Sequence, residues 1–492
     1  RLARSPLLRP IVLSKLIIMA KKIVNGQVSY LYVALFLASL MGGGCAHYPP
    51  NPFLKEPSPG HGYRIKNINP AGKSDSLFLI LTFSGGGTRA AALAYGVLEE
   101  LDKTEIFLEG RKRSLLDEVD VISSVSGGSF TAAYYGLFGR RIFAEFESRF
   151  LKKDIQKELF SQTLEPRNWF RLLSAKFGRG DMVAEYYDQN IFAGGTFGDI
   201  AARGGPLILV NATDITLRTY FTFSQETFDI LCSDVSRVPL ARAVAASAAV
   251  PLILSPITLY NYAGSCHYEA PPWMKRALEE PALSRRQFQK AVHLRSYMDA
   301  QMRPYIHLID GGIADNLGLR AIIDWLISPG DMWQALHYLG WQNTRKVVFI
   351  MVNAEQGPDF HLDQVERTLS SRAVLKSVTN IPIIRYNFET VELLKGNFKQ
   401  WTEEIRSQRC GRANSLDRSN PTYAESDPCA DIKFYLVEVD FDALLDESER
   451  SYLKRLPTSF HLPPEAVDRL REAARQILTQ SPEFQRLLQD LK

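Results

Sequence analysis

The chain has 492 residues, of which 46% are hydrophobic and 23% charged, and its formal net charge is +4. This is the composition of an ordinary globular protein, and the length permits either several domains or one extended core. The small net charge gives no support for nucleic-acid binding, which needs a strongly basic face. The five cysteines form no C-x-x-C pair, so we expect no zinc site.

The N-terminal part has the pattern of a secretory signal. Lys21 and Lys22 precede an apolar run at 28–41, and the small residues 42–44 follow it directly before Cys45. This order resembles the signals of bacterial lipoproteins, in which the cysteine carries the lipid. A transmembrane anchor is the alternative, but the run is shorter than the roughly 20 apolar residues that a spanning helix needs.

The lipoprotein resemblance implies an organisation for the first part of the chain. Residues 1–45 would be a leader and signal peptide, and lipidated Cys45 would hold the protein on a membrane. Residues 46–74 are rich in Pro, Gly and polar side chains, which predicts a flexible tether. Ala46 stands where an aspartate would favour the inner membrane, so the resemblance implies an outer-membrane protein that faces the periplasm.

The other four cysteines are expected to form disulfides. An exported protein with an even number of remaining cysteines favours two bridges. We expect the local pairs Cys232–Cys266 and Cys410–Cys429. Buried free thiols are the alternative.

From residue 77 onward, short apolar runs alternate with helical patterns. Such alternation predicts an α/β fold with a mostly parallel central sheet flanked by helices. We assign residues 75–355 to this α/β domain, with a helical insertion at 265–304. Buried strands are predicted at 77–83, 119–125, 206–213, 305–310 and 346–353.

The C-terminal extension, residues 356–492, is predicted to pack on the core of the α/β domain. Its polar segment 396–432 holds two cysteines and is predicted to form a surface loop. A strand pattern at 433–441 and an amphipathic helix pattern at 463–480 follow it.

The first motif with chemical meaning is S-S-V-S-G-G-S at 123–129. Its Ser126 lies between an apolar strand and a helix pattern, and a sharp turn there exposes a serine hydroxyl. The N-terminus of the following helix favours negative charge at the same place. Gly128 fills the second glycine position of the usual motif, whereas Ser124 replaces the first. A Ser/Gly-rich turn without a nucleophile is the alternative.

The second motif is S-G-G-G-T-R-A at 84–90, which also follows an apolar strand. Its three glycines, Gly85–Gly87, leave backbone N–H groups open to a substrate oxygen, as an oxyanion hole requires. A phosphate-binding loop would need Gly-Lys-Ser/Thr after its spacer, and a dinucleotide fingerprint would need glycine at Ala90. Both nucleotide sites are therefore disfavoured, and a simple tight turn is the remaining alternative.

The third motif is H-L-I-D-G-G-I-A-D-N at 307–316. Asp310 ends a predicted strand, and Gly311 and Gly312 let other groups approach its carboxylate. Such a carboxylate is suited to act as a general base. Asp-Gly-Gly is also an ordinary turn sequence.

Taken together and in this order, the three motifs resemble the patatin-like phospholipase family over residues 77–320. The resemblance implies a hydrolase in which Ser126 is the nucleophile and Asp310 activates it without a histidine. Gly85, Gly86 and Gly87 would then form the oxyanion hole. Arg89, Gly128, Gly311 and Gly312 would support the loops.

Two further stretches, 210–215 and 241–254, are also similar to this family. The chain departs from the family pattern at three small residues. Ser84 stands where the family has aspartate, and Ala90 and Ser124 stand where it has glycine.

The resemblance implies a lipid acyl hydrolase of the phospholipase A or lysophospholipase type, acting on phospholipid or other acyl-ester lipids and needing no metal or organic cofactor. An acyltransferase or thioesterase would share the same motifs, and a non-catalytic envelope lipoprotein is a further alternative. The rival mechanism is a Ser-His-Asp triad that uses His337, His361 or His461. The aromatic and basic segment 168–173 and the insertion are candidates for membrane contact.

Overall fold

The computed structural model describes residues 46–58, 60, 62–67, 72–327, 332–364, 366, 368–415 and 432–492. The expected signal with Cys45, and also Cys429, lie outside these residues. The chain divides into two compact units, and the described part of the smaller one is 46–48 with 161–178. No helix in the described ranges is long and apolar enough to cross a membrane.

The larger unit is built on one twisted sheet. Within the described residues, the sheet has eight strands in the order β10-β9-β1-β4-β5-β8-β7, and β6 pairs with β5. A separate hairpin is formed by β2 and β3. The strands are β1 Leu77–Phe83, β2 Glu105–Leu108, β3 Arg111–Ser114, β4 Val119–Val125, β5 Leu207–Asp214, β6 Thr219–Phe223, β7 Ile257–Tyr260, β8 Tyr305–Ile309, β9 Lys346–Asn353 and β10 Lys433–Asp440.

The prediction of a mostly parallel sheet is confirmed. Strands β10, β9, β1, β4 and β5 run parallel to their neighbours. Strand β8 is antiparallel to β5, and β7 and β6 are antiparallel to the strands that they contact. The central strands β1 and β4 are buried at every position, because helices cover both of their faces.

Helices lie between the strands in the sequence, and those of the larger unit flank its sheet. They are α1 Thr88–Lys103, α2 Gly127–Phe138, α3 Ile142–Phe146, α4 Ile155–Leu164, α5 Pro166–Leu172, α6 Arg179–Tyr187, α7 Phe197–Arg203, α8 Gln225–Ile230, α9 Leu240–Ser247, α10 Pro272–Glu279, α11 Arg285–Tyr297, α12 Gly312–Asp315, α13 Leu319–Ile327, α14 Met332–Leu339, α15 Ser371–Ser415, α16 Glu447–Arg455, α17 Pro464–Gln480 and α18 Pro482–Asp490.

The C-terminal extension contributes to the sheet itself. Strand β10 pairs with β9 along its whole length, and α17 packs against α1. This packing is close, since a Cβ on Gly96 would lie 2.8 Å from the Cβ of Ala474. The extension therefore completes the edge of the sheet in addition to covering it.

The predicted surface loop at 396–432 is wrong for its first half. Residues 396–415 belong to the long helix α15. The buried side chains of Leu394, Trp401 and Ile405 lie on one face of this helix. Their spacing of seven and four residues is helical, but the polar residues between them conceal the pattern.

The predicted flexible tether at 46–74 also needs correction. Asn51 is buried and donates from Nδ2 to the Ser233 hydroxyl over 2.9 Å. Tyr63 is buried too, and its hydroxyl donates to the Ile208 carbonyl over 3.0 Å. The buried side chains of Asn51 and Tyr63 thus belong to the larger unit, although the Pro and Gly content of the segment is typical of a linker.

In the smaller unit, the described residues are connected by short hydrogen bonds. The Ser174 hydroxyl donates to the Ala46 carbonyl over 2.6 Å, and the Tyr48 N–H donates to the Lys176 carbonyl over 2.8 Å. The unit contains α5, whose Trp169 is 55% exposed. Membrane contact by the 168–173 segment stays a prediction.

The predicted bridge between Cys232 and Cys266 is confirmed. It joins the residues after α8 to the residues before α10, and so fixes the start of the 265–304 segment. Cys410 is also disulfide-bonded. Its predicted pairing with Cys429 stays a prediction.

We expect Cys266→Ser to lower the free energy of unfolding by roughly 2–4 kcal/mol, because the bridge closes a chain separation of 34 residues. Thermal unfolding of the parent with and without a reductant, beside the variant, measures the effect. The reduced parent should melt at or below the temperature of the variant, because the reductant also breaks the bridge of Cys410. An unchanged melting temperature in both would contradict the prediction.

Candidate functional site

The candidate site forms where two neighbouring parallel strands end. Strands β1 and β4 pair in register up to Phe83↔Ser124. Each strand is followed by a tight turn and a helix, so the glycine loop 84–87 after β1 lies beside the turn at Ser126 after β4. Carboxyl ends of adjacent parallel strands are a common position for ligand sites in α/β folds.

Ser126 is held in a strained backbone conformation between β4 and α2. Its φ is 47°, which is unusual for a residue with a side chain. Its N–H donates to the Ser247 hydroxyl over 2.8 Å. Ser126 Oγ donates to Asp310 Oδ2 over 2.8 Å. This geometry is that of a serine presented on a sharp strand-to-helix turn.

Asp310 reaches Ser126 from the end of β8. Its N–H donates to the Ala249 carbonyl over 3.0 Å, and its carbonyl accepts from the Thr213 hydroxyl over 2.8 Å. The second carboxylate oxygen, Oδ1, accepts the Gly312 N–H over 2.8 Å. These contacts leave Oδ2 directed at the serine.

Burial raises the pKa of Asp310 to about 6. The Gly312 N–H and the Ser126 hydroxyl both stabilise the carboxylate and lower the pKa in part. A carboxylate with a pKa closer to neutrality is a better proton acceptor than an ordinary aspartate, while it is still ionised at neutral pH.

The three glycines of the predicted oxyanion hole are not equivalent. The Gly85 N–H donates to the Asn316 carbonyl over 3.1 Å, so it is not available to a substrate, and the expectation for Gly85 is corrected. Within the described residues, the N–H groups of Gly86 and Gly87 make no hydrogen bond. The N–H of Gly127, directly after Ser126, is likewise unpaired among the described residues.

Arg89 connects the glycine loop to distant parts of the chain. Its Nε donates to the Ala354 carbonyl over 2.8 Å, and Nη2 donates to the Thr458 hydroxyl over 3.2 Å. Nη1 donates to the Leu456 carbonyl. The buried guanidinium thus positions the loop against the residues after β9 and α16, in agreement with the supporting role that the sequence implies.

The predicted supporting glycines lie at close backbone contacts. A Cβ on Gly128 would lie 2.7 Å from the Ser84 carbonyl oxygen, and one on Gly311 would lie 2.2 Å from the Asn211 carbonyl oxygen. A Cβ on Gly312 would lie 3.0 Å from Asp310 Oδ1. No larger residue fits the first two positions without movement of the backbone.

The small residues that depart from the family pattern are accommodated. The Ser84 hydroxyl accepts the Ala354 N–H over 2.9 Å. The Ser124 hydroxyl donates to the Leu209 carbonyl over 3.0 Å. Both side chains are buried and bonded, so the turns keep their shape.

Ser247 and Asn211 are positioning residues that the sequence analysis did not assign. The Ser247 hydroxyl accepts from Ser126 N–H and donates to the Asn211 carbonyl over 2.6 Å. Asn211 Nδ2 donates to the Ser123 hydroxyl over 2.9 Å. Both residues lie in the stretches 210–215 and 241–254, whose similarity to the family was the sequence signal that could have identified them.

No described histidine forms a hydrogen bond with the Ser126 or Asp310 side chain. His307 Nδ1 lies 3.0 Å from the Thr258 hydroxyl. His337 and His361 contact Gln342 and Gln364, and His461 faces Asp154. Among the described residues, no cluster of three or more His, Cys, Asp or Glu side chains is arranged for a metal ion.

Several solved structures are similar to this chain. Human GIVD cytosolic phospholipase A2 is 12% identical with a TM-score of 0.42, and the match covers 85% of this chain but only 62% of that one. Its complex with methyl gamma-linolenyl fluorophosphonate is 13% identical with a TM-score of 0.36, covering 85% and 59%. VipD from Legionella pneumophila is 13% identical with a TM-score of 0.30, covering 90% and 71%.

No curated protein has a sequence that matches this chain. The family model described as patatin-like phospholipase matches residues 81–323, which include the glycine loop, Ser126 and Asp310. The segment that carries the candidate site thus matches the patatin-like phospholipase family.

Proposed function

We propose that the protein hydrolyses acyl esters of membrane lipids, as a phospholipase A or lysophospholipase, through an acyl-enzyme on Ser126. The family match over residues 81–323 supports lipid hydrolysis in general. The single observation that carries the proposal is the 2.8 Å hydrogen bond from Ser126 Oγ to Asp310 Oδ2.

In the first half of the proposed reaction, Ser126 Oγ attacks the ester carbonyl carbon and its proton passes to Asp310 Oδ2. The carbonyl oxygen becomes an oxyanion, which the N–H groups of Gly86, Gly87 and Gly127 are suited to bind. Each such donor typically contributes ~3 kcal/mol to transition-state stabilisation. The intermediate collapses, and the leaving alkoxide takes the proton from Asp310.

In the second half, a water molecule attacks the acyl carbon while Asp310 accepts the proton of that water. The second tetrahedral intermediate expels Ser126 Oγ, which regains the proton from Asp310. The fatty acid leaves, and the pair of Ser126 and Asp310, which we call the dyad, returns to its starting state.

An exposed apolar surface on α15 supports a lipid substrate. Helix α12, directly after Asp310, packs against α15. The first turns of α15 carry an apolar stripe, in which side chains follow one another at intervals of three or four residues and so share one face. The stripe consists of Val374, Val378, Ile381, Ile384 and Phe388, all exposed.

The apolar stripe faces away from the body of the protein. Asn387 is buried and donates to the Glu355 carboxylate over 2.8 Å, so its side of the helix faces the body. Val378 lies nine residues, or two and a half turns, from Asn387 and therefore on the opposite side. Exposed apolar residues in one patch mark membrane or protein contact sites. Since the helix that carries the stripe packs against the helix after Asp310, we propose that the stripe contacts the surface of a phospholipid bilayer.

The cellular location is also a proposal. We propose that lipidated Cys45 holds the enzyme on the outer membrane, facing the periplasm, where its substrate is concentrated. Incorporation of labelled palmitate into the parent and its loss in Cys45→Ser would support this location. Release of an unlabelled protein into the soluble fraction would contradict it.

The dyad makes a direct prediction for activity. Ser126→Ala and Asp310→Asn should each lower fatty-acid release from phospholipid vesicles by at least about 10³-fold, because the nucleophile or its proton acceptor is removed. His307→Ala is the matched control and should retain activity, since its ring contacts Thr258 instead of the dyad. A fluorophosphonate probe should label the parent and not Ser126→Ala.

The other functional classes predict different outcomes of this experiment. Transfer of the acyl group to an added alcohol in preference to water would indicate an acyltransferase. Cleavage of thioesters alone would indicate a thioesterase. A parent protein that neither releases fatty acid nor reacts with the probe would indicate a non-catalytic lipoprotein.

The raised pKa of Asp310 predicts the pH dependence of activity. Asp310 must be ionised to accept the serine proton, so kcat/KM should fall as the pH drops below about 6 and level off above it. Hydrolysis of a soluble ester between about pH 4.5 and pH 8.5 measures this profile. Circular dichroism over the same range controls for unfolding. A flat profile with the fold intact would argue against Asp310 as the base.

The apolar stripe predicts a separation of membrane binding from chemistry. The double variant Val378→Asp/Ile381→Asp should bind phospholipid vesicles about tenfold or more weakly, because two charges replace exposed apolar groups at the bilayer. Hydrolysis of a soluble ester should not change. Phe107→Asp, at an equally exposed position on the β2–β3 hairpin, is the matched control. Equal vesicle binding by all three proteins would refute the assignment.

A further inference from the structure

A large cavity lies on the same unit as Ser126 and Asp310 but does not include them. Its volume is about 1460 Å³, and neither Ser126 nor Asp310 lines it. The lining comes from β5 and β6, from the helices α10 and α11 of the 265–304 segment, and from α13 and α14. Small-molecule sites are typically ~300–1,000 Å³, so this space accommodates a larger or longer ligand.

One part of the cavity lining is apolar. Leu207 and Leu209 project from β5, and Phe221 projects from β6. The helices add the side chains of Trp273, Leu294 and Trp325. An apolar floor of this composition suits an alkyl chain more than a strongly hydrated ligand.

The charged part of the lining is cationic. Seven Lys and Arg side chains line the cavity against four Asp and Glu side chains. Two of the acids have strong partners, since Asp229 pairs with Arg64 and Asp324 accepts from the Tyr220 hydroxyl over 2.7 Å. The balance therefore favours an anionic ligand.

Three of the cations form an arginine cluster, which consists of Arg276 on α10 and Arg285 and Arg286 on α11. Within the described residues, these guanidinium groups have no ion pair, hydrogen bond or ring contact. Arg276 and Arg285 are exposed and Arg286 is half-buried, so the cluster lies where the cavity meets solvent. Guanidinium groups bind carboxylate and phosphate oxygens in a bidentate manner.

We propose that this cavity binds a long-chain anionic amphiphile. Its carboxylate or phosphate would bind Arg276, Arg285 and Arg286, and its alkyl chain would contact the apolar part of the lining. A fatty acid and a lysophospholipid share this chemistry. The site is separate from the dyad, so occupancy does not require turnover. The 265–304 segment, which the sequence marks as an insertion, supplies the whole arginine cluster.

Binding of the fluorescent fatty acid cis-parinaric acid tests the proposal. The full chain carrying Ser126→Ala should bind this probe saturably. Adding Arg285→Glu/Arg286→Glu should weaken binding at least about tenfold, because the head group loses its partners and meets two like charges. Arg295→Glu is the matched control, since Arg295 is exposed on the same helix and does not line the cavity. Thermal unfolding verifies that each variant is folded.

Competition identifies the source of the ligand. Displacement of the probe by oleate would assign the site to fatty acids, whereas displacement only by oleoyl lysophosphatidic acid would assign it to lysophospholipids. Displacement by inorganic phosphate at comparable concentrations would overturn the proposal, because the alkyl chain of the ligand would then contribute nothing to binding. Equal probe binding by the Arg285/Arg286 variant and the Arg295 control would overturn it as well.

This test does not depend on the proposed reaction. If the parent protein fails to hydrolyse lipids but the probe binds with the expected arginine dependence, the proposed function falls and the second site stands. If the parent hydrolyses lipids but probe binding does not depend on the arginines, the second site falls and the proposed function stands.

Discussion

The candidate site depends on direct backbone contact between the two turns that follow β1 and β4. A Cβ on Gly127 would lie 2.1 Å from the Gly87 carbonyl oxygen, and one on Gly87 would lie 2.4 Å from that of Ser459. Only residues without a side chain permit such approach. Because the turns touch, the unpaired N–H groups of the glycine loop lie next to the serine without any side chain between them.

The position of Asp310 follows from a change of direction within the sheet. Strand β8 is antiparallel to β5 and pairs with it at only two positions, Thr213↔Ile309 and Asp214↔Leu308. Because this pairing is short, the end of β8 is held by other contacts. Thr213, Ala249 and Gly312 provide them through hydrogen bonds to Asp310. The aspartate is thus positioned by several separate backbone segments, which makes its orientation towards Ser126 rigid.

Local sequence signals were sufficient for six of the ten strands described and for the site motifs, but the short strands β2, β3, β6 and β7 were not predicted. Runs such as 77–83 and 346–353 are continuous apolar segments that end in turn residues, and their bounds agree with β1 and β9. The contact between Ser126 and Asp310 was predicted only through family resemblance, because 184 residues separate them along the chain.

Other features depend on contacts that no local pattern encodes. The direction of β8 is set by the strands with which it pairs. An apolar run in the sequence does not indicate the direction of a strand in the sheet. The occupation of the Gly85 N–H by the Asn316 carbonyl arises from the meeting of two distant turns. The segment with Asn51 and Tyr63 has the composition of a linker, yet single buried side chains bind it to the body.

The pairing of β1 with β9 has a consequence for the boundaries of the folding unit. The family-matched segment ends at residue 323, whereas β9 covers one whole side of β1, from Leu77↔Lys346 to Phe83↔Val352. The carbonyl acceptors of Arg89, on Ala354 and Leu456, also lie beyond that segment. Cut out on its own, the family segment would begin inside β1, at residue 81, and would leave the rest of that buried strand as an unpaired sheet edge, which is a template for aggregation. The part of the chain that carries the chemistry is therefore shorter than the part that must fold together.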